Sequence, residues 1–98
     1  MNLLFLWLPS ADQAVKRVAA RVSQGGHHIP EDVVRRRYVR GLVNLVNLYL
    51  PIADTALILD NSMNDEVSRH VIAEKKVSDD LKVHDKSIWQ KILKVGHD

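Results

Sequence analysis

Blocks of apolar residues along the chain predict strands alternating with helices. The uninterrupted apolar run Leu3 to Leu8 predicts an interior strand, covered on both faces, of a mainly parallel sheet. Apolar residues then recur at helical spacing up to about Gln24, and Ser10 has the spacing that caps a first helical turn. A second helix is predicted from Glu31 to Tyr49, because Pro51 is expected to limit it.

The second half of the chain predicts two more strands, a short hairpin and a last helix. Ala56 to Asp60 has the composition of a buried strand, and a further strand is predicted around Ser68 to Glu74. Leu81 to Val83 is expected to pair with it as a hairpin, and Asp85 is placed to cap a helix that ends near Gly96. The order strand, helix, helix, strand predicts an α/β unit within one domain spanning residues 1–98.

Composition narrows the class of protein without naming a function. With 46% apolar and 27% charged residues, the chain resembles an average globular domain. Its longest apolar run is far shorter than the roughly 20 residues that cross a bilayer, so no membrane partner is expected. The absence of cysteine excludes disulfides and thiolate metal sites and is typical of the cytoplasm, where we expect the protein to lie.

Positive charge is concentrated in one part of the chain although the net charge is only +2. Between residues 16 and 40 the sequence holds seven basic residues and two acids. Such a cluster suits a nucleotide, a polynucleotide, an acidic protein surface or plain solvent. The seven are Lys16, Arg17, Arg21, Arg35, Arg36, Arg37 and Arg40.

The segment QGGHHIPEDVVRRR joins the two predicted helices and admits two interpretations. Its glycines end one helix and Pro30 begins the next, and they would also let the loop hinge over an anion held by the flanking arginines. Arginine suits that role because its planar fork donates two hydrogen bonds to one phosphate. The alternative is a plain helix stop beside a solvated basic face, with Arg37 paired to Glu31 or Asp32.

Other chemistry receives little support from the sequence. His27 and His28 are adjacent, so their side chains diverge, and no third ligand lies nearby at metal-site spacing. Hydrogen bonding to backbone or phosphate is the expected role of both histidines. A nucleic-acid interface rests on the basic cluster alone, since aromatic and basic residues do not interleave. The motif GxxxxGKS or GxxxxGKT of a P-loop does not occur.

Nearly the whole chain resembles the C-terminal part of the zeta-toxin-like predicted ATPases, a branch of the P-loop kinases. The most specific portion is GGHHIPEDVVRRRYVRGLVNL, and the segments ALILDNS, VIAEK and VHDKSIWQKI extend the similarity. The resemblance implies a partial P-loop-kinase-like unit: a strand, two helices joined by a lid loop, a strand, a short hairpin and a C-terminal helix.

By this resemblance, the loop between the two helices is a lid whose arginines approach the phosphates of ATP. The implied phosphate-binding residues are Arg21, Arg35 and Arg36, with His27 and His28 in the loop itself. Asn61 and Ser62 follow a core strand where related kinases hold the base and ribose. Characterised zeta toxins phosphorylate a UDP-linked amino sugar, a substrate that we do not extend to this branch.

The resemblance assigns no catalytic residue and no metal ligand to this chain, because the P-loop and the catalytic base belong to the family's N-terminal half. ATP and magnesium are therefore expected only where that half is supplied, for example by a companion chain, and we leave enzymatic activity undecided. A non-enzymatic interaction module is the alternative hypothesis. Loss of neighbours around the first strand would leave apolar surface and an open edge, which favour a homo-oligomer or another partner.

Overall fold

The computed structural model describes residues 1–26, 28–63 and 69–96, which form a compact α/β fold with one mixed sheet. Its strands follow the order β1-β2-β3-β4, in which β1 and β2 are parallel and each later pair is antiparallel. The predicted α/β class is thereby confirmed. The strands are β1 (Asn2–Trp7), β2 (Thr55–Asp60), β3 (Val71–Lys75) and β4 (Lys82–Val83).

Three helical stretches accompany the sheet, and two of them start at a predicted side-chain cap. The hydroxyl of Ser10 accepts the backbone N–H of Gln13 at 3.2 Å, and Asp85 Oδ1 accepts that of Ile88 at 3.0 Å. Both bonds satisfy an amide that has no partner within its own helix. The helices are α1 (Ala11–Ser23), α2 (Glu31–Asn44), a π-helical segment (Leu45–Tyr49), α3 (Leu50–Ile52) and α4 (Lys86–Gly96).

The prediction that Pro51 limits the second helix is wrong. The π-helical segment follows α2 directly, and α3 carries the helical backbone through Pro51 to Ile52. Proline in an ordinary α-helix collides with the carbonyl four residues earlier and cannot donate to it. The wider π turn replaces that bonding pattern, as the bond from the Leu50 N–H to the carbonyl oxygen of Leu45 shows, so the proline ring is accommodated.

The core lies between the sheet and the helices. On β1 the odd positions face the helices: Trp7 is buried, and Leu3 and Phe5 pack against the same cluster. On β3 the consecutive residues Ile72 and Ala73 are both fully buried. A β-bulge explains this, because Ala73 pairs with Ile58 and Val71 with Leu59, which leaves Ile72 as an extra residue on the same side. Helices contribute Leu42, Leu45, Trp89 and Ile92.

The prediction of an interior first strand is also wrong. Within the described residues β1 pairs only with β2 and forms an edge of the sheet. Its even positions point away from the helices, and the side chains of Leu4 and Leu6 are 62% and 40% exposed. The register places Leu57 beside Leu4 and Leu59 beside Leu6. These four leucines form an uncovered surface that we call the bare sheet face.

The hairpin predicted in the second half is confirmed in its paired part. Glu74 lies opposite Lys82, and Ala73 lies opposite Val83, in antiparallel register. The predicted start of this strand, Ser68, lies outside the described residues. The bulge in β3 lies next to the residues that pair with β4. It turns the successive side chains of Ile72 and Ala73 toward α4 and the core.

Two helical glycines should respond oppositely to alanine. A Cβ at Gly96 would lie 2.6 Å from Val46 Cγ2, whereas a Cβ at Gly41 would meet nothing within 4 Å. We expect Gly96→Ala to lower the free energy of unfolding by about 1–3 kcal/mol through overpacking. Gly41→Ala, the matched control, should raise it by about 0.5–1 kcal/mol. Urea denaturation measures both, and equal effects of the two variants would contradict this packing.

Candidate functional site

A polar loop follows β2 at the carboxyl ends of the two parallel strands. Asn61 donates its backbone N–H to the carbonyl oxygen of Trp7 at 2.9 Å, so the loop is held against the end of β1. Asp60 Oδ1 accepts the backbone N–H of Ser62 at 2.9 Å and tightens the turn. In open α/β sheets, ligands bind beside this end of the strands. Asn61 and Ser62, the predicted base and ribose region, therefore occupy a suitable edge.

Two side chains of α1 anchor this loop. Arg17 Nη2 donates to the carbonyl oxygens of Asn61 and Ser62, the second at 3.0 Å, and Gln13 Nε2 donates to the Ser62 carbonyl oxygen at 2.6 Å. Arg69 Nε donates to Asn61 Oδ1 at 2.8 Å. The contact of Gln13 and Arg17 with this loop was not predicted from the sequence, where Arg17 counts only as one of the clustered basic residues. Their four-residue spacing was the signal for a shared role.

His70 connects the loop to the last helix. Its Nε2 lies 3.0 Å from Asp85 Oδ2, and its Nδ1 lies 3.6 Å from Asp60 Oδ2. The pKa of Asp85 is lowered, first by the hydrogen bond from the Ile88 backbone N–H and then by the bond to His70. The imidazole ring is thus hydrogen-bonded to the cap of α4 and lies close to the end of β2.

The glycines of the predicted lid loop have a structural role of their own. Gly25 has a φ of +94°, a conformation that glycine adopts without the steric cost of a side chain. Gly26 donates to the carbonyl oxygen of Arg21 at 2.8 Å, and a Cβ at Gly26 would lie 2.8 Å from that same oxygen. The two glycines therefore end α1 as predicted, and this ending requires no ligand.

Arg35 is engaged in an ion pair between the two helices. Its Nη2 lies 2.6 Å from Asp12 Oδ1 and 3.3 Å from Glu31 Oε1. These carboxylates raise the pKa of Arg35, with Asp12 as the larger cause. The alternative interpretation paired Arg37 with Glu31 or Asp32, whereas Glu31 pairs with Arg35 in the structure. Because all three side chains are largely exposed, this pair orients α1 against α2 more than it stabilises the fold.

The remaining lid candidates do not line one common cleft. Arg36 is exposed and, with Arg40, lines a cleft of about 450 Å³ along α2 whose other walls are Val39, Val43 and Asn44. Arg21 is exposed near the end of α1 and is not part of that lining. His28 borders a separate, mainly apolar cleft of about 240 Å³ between α1 and α2. His27 lies outside the described residues.

No protein-family model, curated protein or solved structure matches the chain. Of residues 1–26, 28–63 and 69–96, no group of three or more histidine, cysteine, aspartate or glutamate side chains is arranged to hold a metal ion. In the same part of the chain, each helix is too short or too polar to cross a membrane. The site is therefore defined by its own geometry: an anchored polar loop and two arginine-bearing helices.

Removal of the Arg17 side chain should loosen the loop after β2. Two carbonyl oxygens would lose a charged donor, so we expect Arg17→Ala to lower the free energy of unfolding by about 1–3 kcal/mol. Lys16→Ala, at the preceding exposed position, should change it by less than about 0.5 kcal/mol. Urea denaturation compares the two, and equal stabilities would show that Arg17 does not anchor the loop.

Proposed function

We propose that this chain is the lid-bearing portion of a P-loop-kinase-like protein, in which Arg21 and Arg36 approach the phosphates of ATP. The observation that carries the proposal is the crossover between parallel β1 and β2, which consists of two helices with an exposed arginine on either side of the connecting loop. Arginine binds phosphate through charge-assisted, two-pronged hydrogen bonds. The cleft at Arg36 and Arg40, about 450 Å³ in volume, accommodates phosphate groups.

The proposal requires a P-loop that lies outside these 98 residues. Phosphoryl transfer depends on a phosphate-cradling loop, a lysine and a magnesium-binding group, and this sequence contains no P-loop motif. A parallel strand pair is ordinarily covered on both faces, whereas the described helices cover one. We assign the assembled protein to the cytoplasm, consistent with the absence of cysteine.

Arg35 contributes differently from the other two arginines in this proposal. Its ion pair with Asp12 links α1 to α2, the two helices that carry Arg21 and Arg36. Binding of ATP by Arg35 itself would require that pair to open. Gly25, whose positive φ marks the end of α1, supplies the joint about which the loop would close.

Charge reversal at the lid should weaken ATP binding by the isolated chain. We expect weak, about millimolar binding, and a further loss of about tenfold in each of Arg21→Glu and Arg36→Glu. Lys76→Glu, an exposed reversal on the β3–β4 turn, is the control that should leave affinity unchanged. Isothermal titration with ATP and magnesium measures this. Tight binding with turnover would refute the need for an added P-loop, and unchanged affinity would refute the lid role.

A non-enzymatic interaction module is the second proposal, and the bare sheet face favours it. Leu4 and Leu6 are largely exposed, and Leu57 and Leu59 lie beside them in register. Contiguous exposed apolar surface of this kind marks protein interaction sites.

Association through the bare sheet face should depend on Leu4. Light scattering over a concentration series should show mass rising above the 11.1 kDa monomer for the wild-type chain. Leu4→Lys should weaken association by about tenfold or more, since a buried leucine contributes about 1.5–3 kcal/mol. Val77→Lys changes a side chain of similar exposure, 66%, and should have no effect. A monomeric wild type at all concentrations would refute self-association.

A further inference from the structure

We propose that the open edge of β1, together with an arginine beside it, binds an extended acidic segment of a partner protein by strand addition. This inference rests on the interaction-module proposal and deepens it by naming the surface and the chemistry of the partner. It does not depend on the proposed role in ATP binding. Main-chain groups, a cleft and local charge each support it.

The first argument concerns the main-chain groups of β1. The carbonyl oxygens of Met1 and Trp7 accept hydrogen bonds from the Thr55 and Asn61 amides, so the odd residues of β1 direct their backbone toward β2. Because strand residues alternate, the amides and carbonyls of Leu4 and Leu6 point to the open edge. Among the described residues no strand pairs with this edge, so these groups are available to an added strand.

The second argument concerns the cleft along this edge. It has a volume of about 180 Å³ and lies between β1 residues 5–8 and the α2 residues Arg37, Tyr38, Gly41 and Leu42. Tyr38 donates its hydroxyl to the Leu8 carbonyl oxygen at 2.8 Å, which closes the edge at that end. A Cβ at Gly41 would meet nothing within 4 Å, so no contact within the chain gives a steric reason for glycine at this helical position. Close approach of another backbone supplies such a reason.

The third argument is charge, which selects the partner. Residues 1–10 contain no charged side chain, and residues 33–53 contain four arginines and no acid. One of these, Arg35, is already paired with carboxylates. Arg37 lines the edge cleft, and Arg40 follows it on the next α2 turn. A segment carrying glutamate or aspartate fits this edge, whereas a second copy of β1 brings no acid to it.

Sheet edges in monomeric proteins usually carry a device against pairing, such as a lysine, a proline or a bulge. The sequence NLLFLW of β1 contains no charge and no proline, and the register with β2 is regular over all six residues. The one bulge in the described sheet lies between β2 and β3, away from this edge. β1 is therefore suited to accept a strand.

Fluorescently labelled peptides test the proposal against the intact chain. The probes are a peptide that alternates glutamate and valine and a matched peptide that alternates lysine and valine. Polarisation should show at least about tenfold tighter binding of the glutamate peptide, with affinity that falls as salt rises. Equal binding of the two peptides, or binding of neither, would overturn the proposal.

Variants separate the main-chain contribution from the charge. Leu6→Pro removes an edge amide without touching the bonds to β2 and should weaken peptide binding about tenfold or more, whereas Leu6→Ala keeps the amide and should retain binding within about threefold. Arg37→Glu should weaken the glutamate peptide about tenfold, and Lys76→Glu should not. Circular dichroism checks that each variant is folded.

The outcomes distinguish strand addition at the β1 edge from the interaction-module proposal on which it rests. If Leu4→Lys abolishes association in light scattering but no peptide binds, the interaction module stands and the edge site is wrong. If the wild-type chain dimerises and Leu6→Pro, but not Leu6→Ala, makes it monomeric, the edge is occupied by a second copy and the acidic partner is refuted. Equal loss of peptide binding in Leu6→Pro and Leu6→Ala would assign the effect to the side chain and overturn strand addition.

Discussion

The parallel pairing of β1 with β2 is the constraint on which the rest of the structure depends. Parallel neighbours cannot be joined by a tight turn, so the chain must cross over the sheet between Trp7 and Thr55. It does so with α1, α2 and the helical residues up to Ile52, and the crossover contributes Leu42 and Leu45 to the core. The same crossover brings Arg17 to the loop after β2 and places α2 along β1.

The local signals in the sequence were sufficient for the helix starts and for the α/β class. Ser10, Gly25, Pro30 and Asp85 act through bonds or dihedral angles within a few residues, and each acts as predicted. The failures involve non-local structure. A continuous apolar run predicts burial on both faces, but the covering layer must come from elsewhere, and for Leu4 it does not come from the described residues.

Pro51 and the charged residues of α1 and α2 illustrate the same limit. The proline stops an ordinary helix, and the π turn that admits it is not evident from residue type. A run of arginines predicts a basic surface but does not assign partners. Asp12 reaches Arg35 from another helix, and Arg17 reaches carbonyl oxygens 44 and 45 residues away in sequence. Periodicity therefore gave the spacing of Gln13 and Arg17 but not the loop that they contact. Asn61 and Ser62 were singled out through the resemblance alone, and their role at a base or ribose stays a prediction.

Four arginines of α1 and α2 fall into two groups, according to whether they bond to groups of the same chain or line a cleft. Arg17 and Arg35 are bound to groups of the same chain, and an external anion would have to displace those bonds. Arg36 and Arg37 line clefts on neighbouring sides of α2, and no acid lies on that helix beyond Asp32. Phosphate at one cleft and carboxylates at the other would both draw on this positive field. If both proposals hold, an anion in either cleft would reduce the electrostatic attraction for an anion in the other, so that nucleotide and acidic segment would compete without any shared contact.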